Sequence, residues 1–256
     1  LATQASNASI DLSAGTDKLT LANTVNVATV SNVETLLGGS EADTVTLSAA
    51  FEMSNSVDLG SGADKLVLGN FANAGSIANV ETVLGGSSTD ELTVTSQLSA
   101  ASIDLGADVD TIKLGNFANS ATLSNIESIT GGSLADTITI ASQLSEASIN
   151  LGSGADTLTL GDFANSATVQ DVETVVGGTG ADAITIAGAL SGSIDLGAGS
   201  DTLTLADAVN TATLSRIESA TGGTDADTIT LASAASNASI DLADGADKLK
   251  LGNFAN

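Results

Sequence analysis

Gly177-Gly178-Thr179-Gly180-Ala181-Asp182-Ala183-Ile184-Thr185 reads as a glycine-rich turn that ends in Asp and runs into an alternating strand. Looser copies surround it. Double glycines open at Gly38, Gly85, Gly131, Gly177 and Gly222, at intervals of 47, 46, 46 and 45 residues. Each is followed at the sixth motif position by an acid: Asp43, Asp90, Asp136, Asp182 and Asp227. A second series, L-G-x-G-x-D or a near relative, lies between them and carries Asp17, Asp64, Asp110, Asp156, Asp201 and Asp247. The eleven Asp alternate at gaps of 26 and about 20 residues. A period of this size is the mark of a repeat architecture, in which each unit buries its apolar face against the next.

Within the unit that starts at Gly131, Thr137-Ile138-Thr139-Ile140 alternates polar and apolar with period two, as a half-buried strand does. Ser148-Ile149-Asn150-Leu151 and Asp156-Thr157-Leu158-Thr159-Leu160 are two more such runs. Ala167-Thr168-Val169 with Val172-Glu173-Thr174-Val175 reads as a fourth, interrupted one. β-branched residues dominate, and helical spacing is nowhere sustained. These runs predict an all-β chain, a parallel β-solenoid with about two coils per 46-residue repeat. It is expected to be right-handed by the crossover rule. Ile138, Ile140, Ile149, Leu151, Leu158 and Leu160 are expected to point inward. A sandwich also uses many short strands, but its strands and loops need not repeat to within a residue. No linker or composition shift divides the chain, so residues 1–256 read as one continuous array. Phe71, Phe117, Phe163 and Phe254 recur in G-N/D-F-A-N and are expected to plug the wider corner of the coil.

Composition bounds the chemistry. The 256 residues include 31 acidic and 6 basic side chains, a formal charge of −25, and no His or Cys. Thiolate metal sites and disulfides are excluded, as are histidine general bases. Nucleic acid binding needs the opposite charge, and anionic membrane surfaces would repel the chain. No apolar run is long enough for a membrane helix. The natural counter-species is a hard cation. The chain begins at Leu1 rather than Met and stops inside a repeat, which points to a piece of a longer polypeptide.

The motif resembles the nonapeptide of the RTX, or haemolysin-type, calcium-binding repeats. The phrases D-L-G-S-G-A-D-T-L-T-L, with Asn150 in place of its first Asp, and N-V-E-T-V at Asn79 to Val83 are similar to those of bacterial S-layer proteins and large surface adhesins of that group. The resemblance covers roughly Asp11 to Leu251. It implies Ca2+ held by the turn aspartates, Asp182 first, then Asp64, Asp156 and Asp201, and after these Asp43, Asp136, Asp227, Asp110, Asp17, Asp247 and Asp90. Backbone carbonyls at Gly178, Gly180, Gly62 and Gly154 would help. The sequence departs from the family where Glu41, Ser88, Leu134 and Asp225 replace the fourth-position glycine. Each coil is also expected to carry the motif at one corner only.

A cation is expected on physical grounds too. Aspartates stacked about 4.8 Å apart repel by roughly 1 kcal/mol per neighbour in water and by more at a buried turn. The alternative for the turn Asp is a strand-start cap that accepts backbone N–H groups without metal. Two further columns recur once per unit. Asp11, Asp58, Asp104, Asn150, Asp195 and Asp241 lie six residues before the turn Asp; Glu34, Glu81, Glu127, Glu173 and Glu218 are expected on a solvated outer face.

These features together predict a structural, extracellular calcium-binding module of a surface layer, adhesin or fibre, which self-associates end to end and is not an enzyme. The alternative is the calcium-triggered secretion segment of a toxin or secreted hydrolase. An ice-binding face is a weaker rival: the T-x-T pairs (Thr137/Thr139, Thr157/Thr159) are interrupted by Lys18, Lys65, Glu91 and Lys113.

Overall fold

The computed structural model describes residues 1–235 and 237–254, so the last two positions of the final G-N-F-A-N lie outside the described residues. All regular structure among them is β-strand. The chain forms two compact units, residues 1–129 and 130–256.

The first unit holds β1 (Ser6–Asp11), β2 (Lys18–Thr20), β3 (Val27–Ser31), β4 (Thr35–Gly39), β5 (Thr44–Leu47), β6 (Ser56–Gly60), β7 (Lys65–Val67), β8 (Asn73–Ala78), β9 (Thr82–Gly86), β10 (Asp90–Val94), β11 (Ala101–Gly106), β12 (Thr111–Lys113) and β13 (Ser120–Ser124). The boundary falls inside β14 (Ser128–Gly132). The second unit continues with β15 (Thr137–Ile140), β16 (Ala147–Gly152), β17 (Thr157–Thr159), β18 (Ser166–Gln170), β19 (Thr174–Val176), β20 (Ala183–Ile186), β21 (Ser191–Asp195), β22 (Thr202–Thr204), β23 (Thr211–Ser215), β24 (Ser219–Thr221), β25 (Thr228–Leu231), β26 (Ser239–Asp241) and β27 (Lys248–Lys250).

In each unit odd-numbered strands pair in parallel in one sheet and even-numbered strands in the other. The chain therefore crosses from sheet to sheet at every turn, and each pair of strands is one coil of a parallel β-solenoid. Register steps are 17 to 21 residues: Val27 pairs with Thr44, and Thr44 with Lys65; in the second unit Thr137 pairs with Thr157, and Thr157 with Thr174.

The core is made by period-two alternation, as expected. Ile138, Ile140, Ile149, Leu151, Leu158 and Leu160 are all buried, and in-register neighbours such as Ile138 and Leu158 stack through the interior.

The repeat holds one strand more than its sequence suggests. Five strands, not four, separate successive double-glycine turns, so 46 residues make two and a half coils. The interrupted run is two strands, β18 and β19. A single left-handed residue, Asp171 (φ 51), turns the chain between them; Asn32, Asn79, Asn125 and Arg216 do the same elsewhere, at φ 49 to 54. Asn and Asp tolerate this conformation better than other side chains with a Cβ. An odd strand count sends successive copies of a motif to alternate sheets. The turn at Gly38 leads into β5 and the turn at Gly85 into β10.

The phenylalanines do not plug the corner. Phe71, Phe117, Phe163 and Phe254 are 38–50% exposed. Each ring lies over a glycine two residues earlier, and a Cβ at Gly69, Gly115 or Gly161 would meet the ring. The buried residue of the three described G-N/D-F-A-N copies is the final Asn: Asn73, Asn119 and Asn165.

Candidate functional site

Nine of the eleven turn aspartates are buried; Asp17 and Asp247, in terminal coils, are half-buried. Each stands just before a strand or, at Asp90, on its first residue, where the chain has turned the corner. Its main-chain N–H needs an acceptor, and the next coil supplies it from a side chain.

A recurring cassette results. On one edge of the first unit the Ala5 N–H donates to Asn26 Oδ1 (2.9 Å), Asn26 N–H to Asp43 Oδ1 (2.9 Å), Asp43 N–H to Asp64 Oδ1 (2.6 Å) and Asp64 N–H to Glu81 Oε2 (2.8 Å). The other edge repeats the order from Phe51 through Asn73, Asp90 and Asp110 to Glu127. In the second unit the cassette runs from Leu144 through Asn165, Asp182 and Asp201 to Glu218. Its other edge carries Asp136 to Asp156 to Glu173 and then Leu190 to Asn210 to Asp227 to Asp247. The Asn also closes its own turn: Asn165 Nδ2 donates to the carbonyls of Gly161 and Phe163 and to Asp182 Oδ1.

The glutamates are therefore not a solvated outer face. Glu34, Glu81, Glu127, Glu173 and Glu218 each end a cassette by accepting the N–H of an Asp 17 residues earlier. Charge-assisted bonds of this kind are among the stronger ones.

One oxygen per aspartate is used in this way. The other, Oδ2, is buried without a hydrogen-bond partner in Asp17, Asp64, Asp90, Asp110, Asp156, Asp182, Asp201 and Asp227; Asp43 Oδ2 receives the Gly39 N–H at 3.2 Å. Burial therefore pushes Asp64 and Asp110 up to about 6, against the N–H bonds from Asp43 and Asp90 that pull them down. Burial likewise raises Asp90, Asp156 and Asp201. A desolvated carboxylate stacked near other carboxylates favours its neutral form.

The glycines expected to aim carbonyls at a cation are needed for close stacking. A Cβ at Gly180 would run into the Phe163 carbonyl, and one at Gly178 would sit 2.7 Å from the Gly161 carbonyl and Asp162 Oδ1. At Gly62 and Gly154 it would press on the backbone of Glu41–Ala42 and Leu134–Ala135. The fourth-position departures, Glu41 and Leu134, thus lie directly against glycines of the next coil.

The column six residues before the turn Asp makes a different contact. Asp58 Oδ1 accepts the Gly60 N–H (3.1 Å) and Asn79 Nδ2 from the next coil (2.7 Å); Asp104 does the same with Gly106 and Asn125. At Asp195 the partner is Arg216, bidentate at 2.6 Å. The signal for this pairing was the x-N-V-E segment, whose Asn is both the left-handed corner and the donor.

Comparison of the chain with protein-family models, curated proteins and solved structures finds no match.

Proposed function

We propose that the chain is a structural repeat module of a bacterial surface layer, adhesin or fibre, working outside the cell and strengthened by calcium. The observation that carries the reading is the cassette itself. Its acidic side chains recur in one arrangement, coil after coil, each holding the backbone of its neighbour, while a buried oxygen is left over. That is a device for cohesion along an array, in keeping with end-to-end self-association, and it leaves the carboxylates committed to structure rather than to turnover of a substrate.

The donor chemistry fits a hard cation, which takes carboxylate, carbonyl and water oxygens in a forgiving geometry. Among the described residues no three acidic side chains form a ready-made cluster. An ion would therefore engage one aspartate at a time, Asp64, Asp110, Asp156, Asp182 or Asp201, together with turn carbonyls and water. It would supply the positive charge that these desolvated carboxylates lack.

Thermal unfolding followed by circular dichroism, with millimolar calcium and with excess chelator, tests the proposal. A melting point that falls on chelation and returns with calcium but not magnesium supports it. Indifference to calcium would leave hydrogen bonds and glycine stacking as the whole source of order, and the calcium part would be wrong. The burial of so many acids favours a second reading, the calcium-triggered secretion segment. It predicts a chelated chain that is unfolded at 25 °C rather than merely less stable.

A further inference from the structure

The segment 187–190 breaks the repeat. In the corresponding segment of the first unit, 95–100, six residues join β10 to β11; here four join β20 to β21. Ser96 Oγ accepts the N–H of Asn79, and Ser233 Oγ that of Arg216, both at 2.7 Å; the matching residue is Gly188, where an added Cβ would meet only Gln170 Cγ, at 3.6 Å. Gln97, which reaches the Ala118 carbonyl at 2.7 Å, is matched by Ala189.

Facing this shortened turn is Asp171, where three of the sibling corners carry Asn. Two residues on stands Glu173. Between them and the turn opens a pocket of about 260 Å³, lined by Asp171, Glu173, Ser153, Ser191, Val172 and Leu190 among others. The same niche at Asn32 and at Arg216 holds about 10 Å³ each. Truncation, deletion and an added negative charge thus coincide at one place.

We propose that this pocket binds an organic cation: an alkylammonium or guanidinium head on a short apolar stem. Asp171 and Glu173 supply the charge, in a chain of net −25 that concentrates cations around it. Val169, Val172, Ile186 and Leu190 contribute small apolar edges to a lining that is otherwise polar, enough for the methylenes next to a cationic head. The volume lies just below the roughly 300–1,000 Å³ of drug-sized sites, which suits a ligand the size of an amino-acid side chain. A free diamine and a lysine side chain of a partner protein share this chemistry.

The test is amide NMR on the ¹⁵N-labelled chain at fixed ionic strength and saturating calcium, titrated separately with cadaverine and with N-acetyl-lysinamide. The result expected is saturable shifts at Ser153, Asp171, Gly188 and Ser191. Asp171→Asn, the residue that sibling corners use, should weaken binding about fivefold, the size of one ion pair, with the melting point unchanged. Gly188→Ser, which restores the sibling hydroxyl and narrows the niche, should weaken it as well. A response to cadaverine alone assigns a free amine; a response to the lysinamide assigns a protein side chain. Silence from both probes overturns the proposal, and so does undiminished binding by Asp171→Asn.

Discussion

The main-chain N–H of Asp43 is held at 2.6 Å by Oδ1 of Asp64, one coil further along. Both residues are buried, so the bond takes the place of the water that the Asp43 N–H has in the unfolded chain. Asp64→Asn keeps an acceptor in place and removes the charge; Asp64→Ala leaves the Asp43 N–H unpaired. The alanine variant is expected to lose about 1–3 kcal/mol, while the asparagine variant should match or exceed the parent in chelator at pH 7.5. Urea unfolding of the two variants checks this, and equal stabilities would mean that the N–H is solvated after all.

Asp64 and Asp110, pushed up to about 6 by burial, bind a proton more tightly in the folded chain than when free at 3.8. Their contribution is thus fully present below pH 3.8 and lost as pH rises through about 6. In chelator the chain should melt at a higher temperature at pH 5 than at pH 7.5, and added calcium should raise the melting point least at pH 5. A melting point that climbs from pH 5 to 7.5 without calcium would contradict the assignment.

Glycine substitutions should separate close stacking from open space. A Cβ at Gly85 runs into the Leu105 carbonyl, so Gly85→Ala should cost about 2–3 kcal/mol. Gly188→Ser enters free volume and offers the Asp171 N–H an acceptor, with an expected gain of about 0.5–1 kcal/mol. Denaturant midpoints of the two variants give the comparison directly.

The left-handed corners make a further pair of tests. Asn79→Ala loses both the tolerance for φ 52 and the bond to Asp58, at a cost of about 1–2 kcal/mol. Arg216→Asn gives up the exposed ion pair with Asp195, which contributes little, restores the common corner residue, and should leave the melting point where it is.

Strands were legible wherever alternation was strong, as at Thr137–Ile140, because burial on one face requires it. The fifth strand was not. Its corner is a single Asn, Asp or Arg in place of a glycine, and Ala167 to Val175 therefore reads as one interrupted run. The turn aspartates were legible as a column, but their partners were not, since the acceptor of each N–H stands 17 to 21 residues away. For the same reason Glu81 and its equivalents looked like surface charge. The Asn ending G-N-F-A-N was masked by the Phe before it, whose size suggested the core although its ring rests on glycine.

The two-and-a-half-coil repeat makes copy number a matter of parity. Gaining or losing one 46-residue unit would hand every downstream motif to the opposite face, as though the remainder had been turned over. Only changes by two units preserve what each side displays. A lineage that lengthens this array by recombination while keeping a one-sided surface would therefore grow it in steps of 92 residues.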